Sequence, residues 1–264
     1  DFVGWQRQAA GREGARGIQA ELDVALSLVF RAEIRTVGAS RTDAGVHARG
    51  QACHFEAPRL WGPRRAPGLD ATVALRRLRR ELPGAILAVA LGRVPTEFHA
   101  RLSATRKRYS YRLATVDAVS PFEARFCWCC GPVDVPAMAA AAATLRGRPL
   151  DFSAFAMEGH EPEYHGGVEK TVEIILREDG PDRLLVLVAC ERFLYRMVRR
   201  IVGGLVEVGK GRIPPEQMPV ASRKVIPTAP PGGLCLDAVE FPPEFPCVAE
   251  TIPPPADLAP PPWT

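Results

Sequence analysis

The sequence predicts an α+β protein built from two ferredoxin-like (split βαβ) subdomains. Three observations predict it. Apolar residues recur at helical spacing in four segments, and alternating or continuous apolar runs of strand length lie between them. These segments follow the split βαβ order throughout the second half of the chain and through most of the first. With 264 residues, 47% of them hydrophobic, the chain can bury one large core or two small ones, which excludes a disordered tail or a stapled miniprotein.

The first half opens on a helix, because Ile18, Leu22, Leu26 and Phe30 recur every four residues. Ile34 to Ala39 and Gln51 to Glu56 are predicted as short strands, the second placing Cys53 and Phe55 on one face, with a polar loop from Ser40 to Gly45 between them. Val73, Leu75, Leu78 and Leu82 mark a helix whose other faces carry Arg76, Arg77, Arg79 and Arg80, and Pro83-Gly84 stops it before the apolar run Ala85 to Leu91. Helix, strand, strand, helix, strand is one strand short of a split βαβ unit. The missing first strand is expected before Asp1, and opening on Asp rather than Met fits a chain whose true N-terminus lies upstream. Residues 1–102 are therefore expected to form an N-terminal subdomain.

In the second half, Tyr109, Tyr111 and Leu113 alternate with Arg108, Ser110 and Arg112, a strand over Lys107 to Ala114 with one basic face. An Ala-rich helix over Pro136 to Arg146 follows, with its proline in the first turn where the missing N–H costs nothing. Thr171 to Arg177 and Leu184 to Cys190 are apolar strands joined through Asp179-Gly180, a hairpin signal. Phe193, Met197, Ile201 and Leu205, flanked by Leu194, Val198, Val202 and Val206, form a wide helical stripe, and Leu234 to Phe241 closes the unit as a strand. This defines a second subdomain over 103–241. The proline-crowded residues 242–264 lack hydrophobic periodicity and are expected to be an extended or disordered tail. Each antiparallel sheet would bury one face under two helices and leave the other to line a central cleft.

Charge is informative through its placement. The 34 Lys and Arg against 30 Asp and Glu leave only +4, yet Arg101 to Arg112 holds five cations and no acid. Arg64, Arg65, Arg76, Arg77, Arg79 and Arg80 form a second cluster, and Arg196, Arg199 and Arg200 a third. Three clusters in so nearly balanced a chain imply a polarised surface suited to RNA phosphates. Seven cysteines without repeating spacing argue against a secreted disulfide framework and for an intracellular setting, and no run approaches membrane-spanning length. Cys127 with Cys130 and His160 with His165 offer C-x2-C and H-x4-H, but the 29 residues from Gly131 to Gly159 exceed the usual finger spacing of about 12–15, so no metal site is expected.

The polar loop Ser40-Arg41-Thr42-Asp43-Ala44-Gly45-Val46-His47-Ala48 sets a carboxylate two residues from an arginine. On spacing alone it fits a surface turn. As a nine-residue string it resembles the signature of the bacterial-type tRNA pseudouridine synthase family, whose Arg-Thr-Asp-Ala-Gly-Val-His core holds the catalytic aspartate. Gly4-Trp5-Gln6-Arg7-Gln8, Gly50-Gln51 with His54-Phe55-Glu56, and Phe98-His99-Ala100-Arg101 leading to Arg108-Tyr109 are similar to that family's other motifs. So are Asp151-Phe152, Met197-Val198-Arg199, Ile201-Val202-Gly203 and Thr228-Ala229-Pro230 with Gly233-Leu234, all in the family's order.

The resemblance implies that Asp43 is the catalytic carboxylate, that Arg41 helps hold the target nucleotide, that Tyr109 stacks on the flipped uracil and that Arg199 pairs with the aspartate. A carboxylate suits the chemistry, since it can attack C1′ of the sugar as a nucleophile or take the 2′ proton as a base. An extruded base also needs an aromatic surface to catch it. Gln6, Arg7 and Gln8 on a Gly-rich loop, with His47, Arg101, Arg106, Lys107, Arg108 and Arg196, are the expected RNA contacts lining the cleft. The expected partners are tRNA and a second copy of the chain, with no membrane and no cofactor. The expected compartment is the bacterial cytoplasm or, failing that, a mitochondrial or plastid matrix. Ala44 and His47, in place of the Lys and Ser of eukaryotic paralogues, favour the bacterial branch and uridines 38–40 of the anticodon arm. Two departures stand out: Lys210 to Pro227 is short and proline-rich where a helix is usual, and Lys170-Thr171 replaces Arg-Thr. The alternatives are a catalytically silent RNA-binding module, against which no RNP-like aromatic strand is present, and the same chemistry on an organellar RNA.

Overall fold

The computed structural model describes residues 2–7, 16–56, 70–157, 168–245 and 248–251. Its elements run α1 (Ile18–Phe30), β1 (Val37–Gly38), β2 (His47–Ala48), β3 (Cys53–His54), α2 (Ala71–Glu81) and β4 (Ala90–Arg93). They continue with β5 (Arg106–Ala114), α3 (Pro121–Ala124), β6 (Trp128–Cys129), α4 (Val135–Leu145), β7 (Pro149–Asp151), β8 (Glu169–Thr171), β9 (Glu173–Glu178) and β10 (Arg183–Cys190). Last come α5 (Met197–Gly209), β11 (Leu234–Glu240) and β12 (Val248–Thr251). This is a mixed α+β chain in two compact units. One comprises Asp1–Gly45, Arg49–Thr105 and Val239–Pro260, the other Val46–Ala48, Arg106–Ala238 and Pro261–Thr264.

In the first unit the four-residue repeat of α1 buries Leu22, Leu26 and Phe30 with Ala25 and Val29 against Ala74 and Leu78 of α2 and Leu82 just beyond it, and Trp5 and Ile34 complete this core. The first turn of α1 has no side-chain cap at Gly17. Instead the Ile18 and Gln19 amides donate to the Gly4 and Trp5 carbonyls at 3.1 and 2.9 Å, satisfying groups a helix start would otherwise leave open. The α2 start is capped conventionally, by the Asp70 carboxylate accepting from the Val73 amide at 2.7 Å.

The sequence predicts six-residue strands around Val37 and Cys53, but only Val37–His54 and Gly38–Cys53 pair, antiparallel. The Ala39 amide still donates to the Ala52 carbonyl at 2.8 Å, but farther out side chains take the amides: Ile34 donates to Ser27 Oγ, Thr36 to Asp23 Oδ1 and Ser40 to Gln51 Oε1. The strand expected over Ala85 to Leu91 sits later, as β4, because its antiparallel partner is β12. That partner arises within the proline-rich segment expected to be an extended or disordered tail, so residues 248–251 of that segment form a paired strand instead.

The second unit is built on a sheet ordered β2-β11-β5-β10-β9, with β6 alongside β5. β10 is antiparallel to both β5 and β9, while β2 on β11 and β6 on β5 are parallel. Every residue from Leu184 to Cys190 is buried, the pattern of a central strand covered on both faces. Helix α4, capped by Asp134 on the Ala137 amide at 2.9 Å, packs against α5 and β9. Helix α5 starts at Met197, after the helical stripe begins at Phe193, because Arg196 turns the chain with a left-handed φ of 60°. Within the proline-rich departure, Pro215–Val220 forms a 3-10 turn that buries Met218 completely.

Candidate active site

The loop carrying Asp43 leaves β1 and is held from three sides within the first unit. Asp43 shares an isolated antiparallel bridge with Gly4, and the Trp5 amide donates to the Thr42 carbonyl at 3.0 Å. Gly4 has a φ of 107°, and a Cβ there would lie 2.5 Å from the Thr42 oxygen, so only glycine allows this approach. At the base of the loop, the Gln51 amide clasps Ser40 with both its groups, accepting from the Ser40 N–H at 3.2 Å and donating to the Ser40 carbonyl at 2.8 Å. Beneath it the Trp5 indole is buried against Gly38, where a Cβ would fall 2.4 Å from the ring. Thr42 is buried, Asp43 is half-buried and Arg41 is exposed. Gly45 ends the turn with a φ of 78°.

Tyr109 and Arg199 lie in the second unit. Tyr109 faces Val188 across the β5–β10 pair and meets the Phe193 ring edge-on at 5.2 Å. It is 6% exposed, so a base stacking on it must displace what covers it. Tyr111, on the same face of β5, is fully buried and donates its hydroxyl to the Pro230 carbonyl at 2.6 Å. Burial pushes its phenol well above the ordinary tyrosine range, against a smaller opposing pull from Arg199. Arg199 is buried and donates Nε–H to the Ala229 carbonyl at 2.8 Å, while the Ala229 amide returns a bond to the Arg199 carbonyl at 3.1 Å. The turn 228–230 is thereby tied to both α5 and β5.

The basic stretch that looks acid-free along the sequence receives acids in the fold. Arg106 pairs with Glu173 of β9, and Arg112 Nε lies 3.4 Å from Asp179 in the β9–β10 turn. Arg200, one of the three cations after Phe193, is buried with its guanidinium on the Ala154 and Arg223 carbonyls, which makes it a structural group. Burial, then the nearby Arg223, lowers its pKa. Lys107 and Arg108 are half-buried, and Arg196 stacks over the Tyr195 ring at 5.0 Å. Arg101 is exposed on the turn that follows Phe98 in the first unit.

The remaining expected RNA contacts are divided. Gln6 is exposed, and Arg7 is anchored, its amide on Gln19 Oε1 at 3.1 Å and its guanidinium 3.7 Å from buried Asp23. His47 sits on β2 opposite Cys235, with Nε2 3.0 Å from the Arg125 carbonyl and its ring 4.8 Å from Phe126. Gln8, Arg64, Arg65, His160 and His165 lie outside the described residues. Burial raises the Cys127 and Cys130 thiols, which disfavours thiolate, and among the described residues no group of three or more His, Cys, Asp or Glu could hold a metal ion. What the sequence hides is the support: Gln51 stands in a recognisable motif, but only the fold shows that its amide spans Ser40.

Residues 141–242 match the sequence profile of a family described as tRNA pseudouridine synthase. Over nearly the whole chain, three bacterial proteins named tRNA pseudouridine synthase A are similar to it. That of Solidesulfovibrio magneticus is 38% identical over 251 residues, 91% of this chain and 87% of that protein. The Moorella thermoacetica protein is 39% identical over 248 residues, 91% of this chain and 95% of that one. The Syntrophotalea carbinolica protein is 36% identical over 249 residues, 92% of each chain.

Proposed function

Because the chain belongs to the tRNA pseudouridine synthase family, we propose that it isomerises uridines 38–40 of the tRNA anticodon stem-loop, with Asp43 as the catalytic carboxylate. It is an isomerase acting on uridine in tRNA. The reaction breaks the N1–C1′ bond, turns the base and joins C5 to C1′; the C5 proton leaves and N1 gains one, so atoms balance without a second substrate. A carboxylate can begin this as nucleophile at C1′ or as base at the 2′ position, and either role needs it fixed relative to the sugar. The observation that carries the reading is the clamp on the Asp43 loop by Gly4, Trp5 and Gln51.

In this reading Arg41 holds the target nucleotide, Tyr109 stacks on the extruded base and Arg199 pairs with Asp43, keeping it ionised through a charge-assisted hydrogen bond. Gln6, Arg7, His47, Arg101, Arg106, Lys107, Arg108 and Arg196 contribute to tRNA binding. Both units are ferredoxin-like subdomains flanking an RNA-binding cleft, a reading supported in the second unit by the chain order β5, α4, β9, β10, α5, β11, smaller elements aside, with the four strands sharing one sheet. Two copies cradle one tRNA, which sedimentation with and without tRNA tests.

Tritium release from unmodified tRNA carrying C5-labelled uridine is the deciding assay. Wild type releases tritium, and Asp43→Asn does not while still binding tRNA. No release by wild type, or undiminished release by Asp43→Asn, overturns the proposal. Unchanged turnover in Arg199→Ala removes the Asp43 pairing from it.

A further inference from the structure

The turn from His99 to Ser103 in the first unit holds its backbone in an unusual way. The His99 amide donates to Ser103 Oγ at 3.0 Å, the Ala100 amide to His54 Nδ1 at 3.0 Å, and the Arg101 and Leu102 amides both to His99 Nδ1 at 3.2 Å. Four consecutive N–H groups thus converge on two imidazole nitrogens and one hydroxyl. The Ser103 amide closes the turn on the His99 carbonyl at 2.8 Å. A backbone N–H can point at Nδ1 only when that nitrogen carries no proton, so both rings are accepting at Nδ1. The rings lie 4.8 Å apart, and Phe98 meets His54 edge-on at 6.0 Å.

The turn presents Arg101 and Leu102, both exposed, at its tip. Unlike Arg106 and Arg112, whose guanidiniums pair with carboxylates, Arg101 has only its backbone engaged by described residues. His54 belongs to β3, the strand whose entry, Gln51 and Ala52, bonds the base of the Asp43 loop at Ser40 and Ala39. One hydrogen bond from β3 therefore ties the Arg101 turn to the strand pair that carries the loop.

We propose that His54 and His99 are positioning residues for substrate, two imidazole acceptors that fix the Ala100–Leu102 backbone and so aim Arg101 at a phosphate of the bound RNA. This rests on the reading of the chain as a tRNA isomerase and adds to it how one cation is aimed. The acceptor is what matters, and an Asn side chain places an amide oxygen near the position of Nδ1. His99→Asn therefore preserves the function, and His99→Ala removes it.

The test is equilibrium binding of full-length wild type and variants to unmodified tRNA over a series of salt concentrations, alongside tritium release. Arg101→Ala weakens binding about five- to tenfold and flattens the slope of log K against log salt by about 0.7–1, the signature of one lost phosphate contact. His99→Ala does the same, the double variant is no worse than either single one, and His99→Asn restores both affinity and slope. The loss appears in KM rather than kcat. Arg101 is exposed, so its variant remains informative if His99→Ala unfolds. Absence of tritium release by wild type defeats the proposed function itself. With wild type active, an unchanged salt slope in Arg101→Ala, or binding by His99→Asn as weak as by His99→Ala, defeats the positioning role.

Discussion

Gly4 and Asp43 share a backbone bridge at a place where Gly4 has no room for a side chain. The atom in the way is the Thr42 carbonyl oxygen, which cannot yield because it already accepts from the Trp5 amide. Gly4→Ala must therefore either strain a φ of 107° or push the Asp43 loop aside. Strain of this kind costs about 1–3 kcal/mol. A displacement of the carboxylate by about 1 Å costs on the order of 100-fold in rate. Single-turnover tritium release and urea denaturation measure the two, and wild-type rates in this variant would show that the bridge does not position Asp43.

Gln51 tests the same loop from its base. Its amide accepts from and donates to one residue, Ser40, which a carboxylate cannot do. Gln51→Glu keeps the shape, but it can only accept and sets an oxygen against the Ser40 carbonyl. Both Gln51→Ala and Gln51→Glu are expected to cost about 1–3 kcal/mol, with the glutamate no better than alanine. Turnover falls in both, and rescue by glutamate would mean that only the N–H contact matters.

The contrast between α1 and β1 shows what the sequence can carry. Helix α1 is legible to the residue because burial along a helix repeats every turn and needs no distant partner. The strands around it are not, because the amides of Ile34, Thr36 and Ser40 bond to Ser27, Asp23 and Gln51, leaving two residues each to pair. Polar side chains in a helix or loop do not announce that they will terminate a sheet. β12 is hidden for another reason, as a strand inside a proline-rich segment whose partner, β4, lies some 150 residues away in sequence. Motif order singles out Asp43, Tyr109 and Arg199 as expected site residues, but the acids that answer Arg106 and Arg112 come from a neighbouring strand and turn. Local charge counts overstate how many of those cations are left for RNA.

His54 gives the first unit an acid limit. Burial, then the neighbouring His99 imidazole, lowers its pKa from 6.5, against a smaller raising effect of Glu56. A depressed histidine supplies stability that is fully present above the unfolded value and is lost as pH falls through the folded one. Protonation at Nδ1 would also set a proton against the Ala100 amide. Stability measured by urea titration is thus expected to decline below about pH 6.5 more steeply in wild type than in His54→Asn, which keeps an acceptor but cannot titrate. Parallel profiles would assign the acid sensitivity to other groups.

Two adjacent glycines of α5 separate packing from helix propensity. Replacing a mid-helix glycine by alanine gains about 1 kcal/mol of intrinsic preference. At Gly204 the new Cβ would meet the Met218 Cε methyl at 2.3 Å, the free end of a flexible side chain that can swing away. At Gly203 it would lie 2.2 Å from the Pro227 carbonyl oxygen, a backbone atom. Moving that backbone pulls on the turn held by Arg199 at Ala229, a buried bond, and by Tyr111 at Pro230, a partly buried one. Overpacking costs about 1–3 kcal/mol, and an orphaned buried carbonyl about as much again, so the propensity gain is outweighed at Gly203. Gly203→Ala is expected to lower the urea midpoint and the rate of tritium release together. Gly204→Ala should stay within about 1 kcal/mol of wild type, because the methionine can absorb the clash. Equal stability of the two variants would mean that the 227–230 turn yields as easily as a side chain, and that Arg199 is not held by it.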